Sequence, residues 1–416
     1  MVEPSLSRGH ALAVFGYRDF VLLWLVLVAS SIGSWLRILG TAQWLLDHTQ
    51  SAWLVGVIGF VQLLVQTPAL LWGGTLADRL DRKKLMVVSH CVTAVTLLIL
   101  GMLLISGQLT SMWVYAGIAL TAMSHVFASP SRSALIPVVI PERLLLSAAS
   151  MDTASQNTAA IIGPLIFAAV AAAYGIDAVL ILGSGLFAIA ALVPLAIRVE
   201  GRVAPAERLD GSTWQQTREG LSYVSRHPIL PGLFLLDIGI TVVSFYRDIL
   251  PVLALGLFAG GAVVSGYLGA ANSVGAVVGS FAALLFVAYR AKGRLVLYAS
   301  LAYALFLIGF GAAQHLWIGL LMIALLGAAD AVTVAVRHTT VMMATPDHMR
   351  GRAFSAMYLA AYAANNLGTV WVGFWAGVIG AANSMLLGGV LAVLATLLIG
   401  WLWRPIWAFR SQDEEG

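Results

Sequence analysis

Gly74-Thr75-Leu76-Ala77-Asp78-Arg79-Leu80-Asp81-Arg82-Lys83-Lys84 is a dense charged loop set between two long apolar stretches, 52–77 and 85–105. A span crossing a bilayer as a helix needs about 20 largely apolar residues. Each flank meets that requirement, so the loop reads as a connection at a membrane surface. Gly74 leaves room for close helix approach, and the cations that follow would hold the loop on the cytoplasmic side.

Composition points the same way. Apolar residues make up 60% of the 416-residue chain and charged residues only 10%, with a mean hydropathy of +0.92. These values exclude an ordinary water-soluble globule. The lone cysteine, Cys91, rules out an intrachain disulfide. The first apolar run is too long for a cleaved signal peptide and reads as the first span. Twelve spans follow from the hydropathy pattern: 20–46, 52–77, 85–105, 112–135, 146–174, 178–197, 231–257, 263–287, 295–313, 317–343, 353–378 and 384–403.

Lys and Arg fall almost wholly in alternate connections, at Arg79 to Lys84, Arg143, Arg198 to Arg226, Arg290 to Arg294, Arg350 and Arg352, then Arg404 and Arg410. The intervening connections carry none. That asymmetry places both termini in the cytoplasm, and it accounts for the net charge of +4 without invoking nucleic acid. The only long polar insert, 198–228, divides the spans into bundles over 1–197 and 229–416. Within it, Trp214, Leu221 and Val224 recur at helical spacing against Gln215, Arg218 and Arg226, as in an amphipathic interfacial helix over Thr213–Arg226.

The halves repeat one another. Arg132 and Arg337 each stand nine residues before a proline–acid pair, Pro141-Glu142 and Pro346-Asp347, and both offsets are 205 residues. Gly163 and Gly368 share that offset, and Ser34-Trp35-Leu36-Arg37 matches Ser244-Phe245-Tyr246-Arg247 at 210. Such weak self-similarity is the mark of duplicated transporter halves.

The loop's pattern of Gly, three residues, Asp-Arg, two residues and Arg-Lys resembles the signature loop of the major facilitator superfamily. Ser129 to Pro137, Gly220 to Pro228 and Pro346 to Arg352 extend this resemblance toward its macrolide-efflux and enterobactin-exporter branch. The resemblance implies an all-α fold of two six-helix bundles, and alternating access between them. It also implies a central cavity walled by spans one, four, seven and ten, and a conformational latch at Gly74, Asp78, Arg79, Arg82 and Lys83. Asp78 would dock at the N-terminus of span eleven, where a carboxylate meets the positive helix end. Gly163-Pro164 resembles a helix-bending antiporter motif, although the paired glycines that usually follow are replaced by Leu165-Ile166-Phe167-Ala168. The arginine that many drug antiporters carry early in span four is missing from 112–124 as well.

A charge in hydrocarbon costs at least about 2.5–3.5 kcal/mol, so each embedded one requires water, a partner or a pathway. On spans one, four, seven and ten these are Arg37; His125 and Arg132; Asp237, Arg247 and Asp248; and Asp330, Arg337 and His338. His125, Asp237 and Asp330 are the candidates for proton coupling, since a cavity imidazole or carboxylate can take up and release a proton. The alternative for His125 is a hydrogen bond to a neighbouring helix, and for Asp237 a static ion pair. Arg37 and Arg247 read either as a cationic rim for an anionic cargo or as an outer gate, in which one of them pairs with Asp248 or Asp47. Arg132, which Asp152 can neutralise, and the Asp330–Arg337 helix face read as structural.

No Gly-Lys-Ser/Thr loop, Cys/His metal cluster or nucleophile elbow occurs, so no cofactor, metal or catalytic residue is expected and the chain is not read as an enzyme. The expectation is a monomeric secondary transporter in a bacterial cytoplasmic (inner) membrane. It would export a siderophore- or macrolide-like amphipathic molecule in exchange for protons, among membrane lipids. A lysophospholipid flippase or an importer on the same fold is the alternative.

Overall fold

The computed structural model describes residues 11–77, 81–199, 213–286 and 289–410. All regular structure among them is helical. The helices are α1 (Arg18–Thr49), α2 (Ala52–Ala77), α3 (Arg82–Ile105), α4 (Ser111–Ser133), the short α5 (Ile136–Val139), α6 (Leu145–Tyr174), α7 (Ile176–Leu192) and α8 (Thr213–Arg226). They continue with α9 (Leu230–Ser244), α10 (Leu250–Phe258), α11 (Ala262–Leu285), α12 (Lys292–Gly311), α13 (Leu316–Ala344), α14 (Asp347–Ile379), α15 (Ala381–Leu402) and α16 (Arg404–Ala408). Eleven segments among the described residues are long and apolar enough to cross a membrane. The twelfth expected span, 353–378, lies inside the 33-residue α14, whose polar start (Arg350, Arg352) and central Asn365 and Asn366 set it apart from the others.

Span seven is not the continuous helix that its hydropathy suggests. It is broken into α9 and α10, with Phe245 in extended conformation (ψ 120°) and a single 3-10 turn over Arg247–Ile249. Pro251 at the start of α10 has no N–H to continue the ladder, so the helix restarts there. Irregular backbone at membrane depth is tolerated where it is buried in protein or lines a cavity. Gly368 of α14 and Gly388 of α15 close on this break: a Cβ on Gly368 would lie 2.6 Å from the Thr241 carbonyl, and one on Gly388 2.3 Å from that of Val243.

The helices form two compact units. The first joins Met1–Thr41 with Pro68–Asp210, and the second joins Ala42–Thr67 with Gly211–Gly416. In the first, Leu23 and Val26 of α1 pack with Met86, Leu135 and Ala190. In the second, Leu230, Leu233 and Leu236 of α9 pack with Val296, Val341, Ala353 and Met357. Ala42–Thr67 joins the second unit through small residues and buried amides. A Cβ on Gly56 would sit 2.9 Å from Gly373 Cα, one on Gly59 2.3 Å from the Asn366 carbonyl. Asn366 Nδ2 donates to Gln66 Oε1 at 3.0 Å, and Ser265 Oγ donates to Gln43 Oε1 at 3.2 Å.

Helix association in a bilayer lacks a hydrophobic drive and relies on such close approach. One such approach joins α11 to α13, where a Cβ on Gly275 would stand 1.8 Å from the Ala324 carbonyl oxygen. Gly275→Ala is therefore expected to destabilise the protein by about 1–3 kcal/mol, the usual cost of overpacking. Thermal unfolding in detergent reads this directly, and an unchanged midpoint would contradict it.

α8 lies against α14, where Arg352 Nη1 bonds Glu219 Oε2 at 2.7 Å, and reaches the end of α13, where Tyr223 Oη donates to the Ala344 carbonyl at 3.2 Å. The next residue pair caps α9, since His227 Nδ1 accepts from the Ile229 and Leu230 amides at 3.2 and 3.3 Å. Burial lowers the His227 pKa, which favours the neutral ring that capping requires.

Candidate functional site

Each unit encloses a polar cavity. The first, about 140 Å³, is lined by Ser30, Ser31, Ser34 and Arg37 of α1, by His90 and Thr93 of α3, by Thr121, Ser124, His125 and Arg132 of α4, and by Gln156 of α6. Arg37 is buried and donates to Thr121 Oγ1 at 3.4 Å. Thr121 in turn donates to the Gly117 carbonyl one turn back, at 2.9 Å, so the hydroxyl stands as a fixed acceptor. His125 is exposed to the cavity. Arg132 bonds Asp152 Oδ2 at 2.5 Å, and both side chains are at least nine-tenths buried. This is the pairing that the sequence offered for Asp152.

The second cavity, about 360 Å³, is lined by Asp237, Thr241, Ser244, Tyr246 and Arg247 around the break in span seven. Asn272, Tyr303, Asp330, Arg337, His338, Tyr358, Tyr362 and Asn365 complete it. Arg337 Nη1 bonds Asp237 Oδ1. Asp330, two turns before Arg337 on α13, presents an exposed carboxylate to the cavity. Around this charged centre lies a hydroxyl and amide network. Tyr303 Oη and Ser244 Oγ are 3.0 Å apart, and Asn272 Nδ2 donates to Tyr246 Oη at 2.5 Å. His338 meets Phe354 and Tyr358 edge-on, with ring centroids 5.7 and 6.1 Å away.

Of the residues singled out from sequence, Arg37, His125 and Arg132 thus share one cavity, and Asp237, Arg247, Asp330, Arg337 and His338 share another. Asp248 is buried and lines neither. Asp78 and Arg79 lie outside the described residues, and Gly74 falls within α2. Arg82 and Lys83 meet helix ends: Arg82 Nη1 donates to the Ala134 carbonyl at 3.4 Å and Lys83 Nζ to that of Ile197 at 2.7 Å. Both are cations at C-terminal carbonyls, the favourable end of the helix dipole. Gly163 lets α6 pack on Trp35, from which a Cβ would be only 2.8 Å away, and Pro164 is buried beside it within a helix that continues to Tyr174.

Sequence reasoning overlooked His90, because the embedded charges were sought on spans one, four, seven and ten alone. It sits on span three, buried, and opens onto the first cavity. An ionisable residue amid the apolar run 85–105 was the available signal. Tyr246, Asn272, Tyr303 and Tyr362 were overlooked for another reason: uncharged polar groups are common in spans, and only the packing brings these four together.

Membrane helices in two units, each with charged side chains around a cavity, are the architecture expected of a solute transporter. The chain belongs to the transmembrane secretion effector family of the major facilitator superfamily, whose model matches residues 10–414. It is 25% identical over 382 residues to an uncharacterized MFS-type transporter, YfiS, of Bacillus subtilis, covering 89% of each chain. It is 26% identical over 311 residues to the enterobactin exporter EntS of Shigella boydii, covering 73% of this chain and 72% of that one. With macrolide efflux protein A of Enterococcus faecalis it shares 23% identity over 246 residues, 58% of this chain and 74% of the relative. Among solved structures, a POT family peptide transporter superposes with a TM-score of 0.73 at 14% identity, covering 96% of this chain and 98% of that one. This last likeness concerns the fold alone. The protein is accordingly a multi-pass membrane transporter.

Proposed function

We propose that the protein exports an amphipathic small molecule with an anionic or hydroxyl-rich head, in exchange for protons, across a bacterial cytoplasmic membrane. In this reading both termini are cytoplasmic and a single chain suffices. The observation that carries it is that carboxylates line one cavity and not the other. Arg37, His90, His125, the Asp152-paired Arg132 and a ring of hydroxyls line the first, without a lining carboxylate among the described residues. Asp237 and Asp330 line the second, alongside Arg247 and Arg337, the latter bonded to Asp237. A head bearing oxygens, such as that of a catecholate siderophore, finds its donors in the first, and exchangeable protons have carboxylate carriers in the second. Alternating access between duplicated halves would couple them, with the charged loop from Gly74 to Lys84 as the latch. The relatives named for enterobactin export and macrolide efflux agree with this direction and cargo class.

The test is transport in reconstituted vesicles of a catecholate siderophore, a macrolide and a lysophospholipid, with and without an imposed pH gradient. Export of the first or second, raised by the gradient, is expected. Movement of the lysophospholipid alone would overturn the reading in favour of a flippase. A hydrogen bond to a charged group contributes about 1.5–3 kcal/mol, so Arg37→Ala should raise the half-saturating concentration of an anionic cargo by about tenfold or more. A neutral cargo should be little affected, and equal loss for both would remove Arg37 from head-group recognition.

A further inference from the structure

An apolar cavity is lined by residues that belong to neither polar one. It has a volume of about 480 Å³ and is walled by Leu297, Tyr298 and Leu301 of α12, Thr396, Leu397, Gly400 and Trp401 of α15, and Arg404 and Trp407 of α16. That volume is within the roughly 300–1,000 Å³ range of small-ligand sites. Its rim is unusually open for carbon: Trp401 is 66% exposed, Leu397 57% and Tyr298 54%. In a multi-pass membrane protein such a face is turned to lipid.

The cavity is held open by the fold. α16 turns back across the start of α12, and Gly293 admits it, since a Cβ there would lie 1.7 Å from the Ile406 carbonyl oxygen. Trp407 Nε1 donates to the Gly400 carbonyl at 2.7 Å, and the Trp407 ring meets Tyr298 edge-on at 6.1 Å. The indole is thereby fixed as an end wall. At this same end stand two exposed guanidiniums, Arg404 on the cavity wall and Arg294 one turn before Tyr298 on the same face of α12. Neither forms an ion pair among the described residues.

An apolar slot ending in two cations and interfacial aromatics is complementary to one molecule type: acyl chain within, phosphate at the mouth. We propose that this groove binds a single anionic glycerophospholipid, of the phosphatidylglycerol type, from the leaflet on the Arg-rich side. Juxtamembrane cations favour anionic lipid surfaces, and Tyr and Trp belong at the headgroup level.

Native mass spectrometry of the delipidated full chain, titrated with dioleoyl phosphatidylglycerol, dioleoyl phosphatidylethanolamine or glycerol 1-phosphate, tests this. One phosphatidylglycerol should bind ahead of a weaker, non-saturating background, and glycerol 1-phosphate should not compete. Replacing both cations (Arg294→Ala with Arg404→Ala) should weaken that binding about thirtyfold, as expected for two cations at a membrane surface. The corresponding lysine pair should restore it, and Leu397→Trp, which fills the slot, should abolish it with both cations kept. Equal retention of the two lipids, or retention of phosphatidylglycerol by the double alanine variant, would overturn the proposal, whatever the fate of the transport reading.

Discussion

Asp330→Asn is expected to abolish proton-driven accumulation while leaving exchange down a cargo gradient intact. A one-unit pH gradient is worth about 1.4 kcal/mol per proton, enough for about tenfold accumulation at one proton per cargo. In inside-out vesicles with an acidic lumen, wild-type protein should approach that ratio and the variant should remain at one. Asp330 is the carboxylate to change because Arg337 is already bonded to Asp237, whereas Asp330 is exposed to the cavity. Neutralising Asp237 would strand the Arg337 guanidinium and confuse coupling with folding. If Asp330→Asn still concentrates cargo under the gradient, the proton is carried elsewhere, and His125 is the next group to replace.

The second large effect concerns stability. Arg132→Leu is expected to destabilise the first unit by about 3–5 kcal/mol, because removing one partner leaves a buried charge unpaired. Asp152 would be that charge, its side chain only 10% exposed. The double variant Arg132→Leu with Asp152→Leu should recover most of the loss. The native pair leaves Arg132 Nη1 and Asp152 Oδ1 outside any hydrogen bond, and an incompletely satisfied ion pair has little advantage over apolar side chains of similar volume. Folded protein remaining after a heat step, measured by gel filtration, gives the order of the three variants. A double variant no better than either single one would show that the pair is not the source of the effect.

The fold was readable because hydrocarbon imposes its demand on each segment separately. Every spanning stretch must satisfy its own backbone and exclude charge, so length and apolarity suffice to find it. The Arg132–Asp152 contact was within reach for the same reason: two opposite charges in apolar spans need each other. The interruption at Phe245 was not, since Ser244 and Pro251 alone do not distinguish a kinked helix from a broken one, and the close approach of Gly368 and Gly388 to this stretch is set by packing between distant segments. His90 and the four hydroxyl- and amide-bearing residues of the second cavity stayed hidden because nothing local marks which way a helix faces.

From the linear chain alone came a polytopic helical protein and the positions of its embedded charges, consequences of solvation acting residue by residue, together with a duplicated architecture read from repeat offsets and a superfamily read from the resemblance of its motifs. Only the packed molecule decided that those charges gather around two cavities, one lined by cations and hydroxyls and the other by aspartates together with arginines, that span seven breaks, and that residues 42–67 join the second unit. These depend on helix rotation and spacing, which are set where glycines and alanines of distant segments meet, and no single segment holds that information.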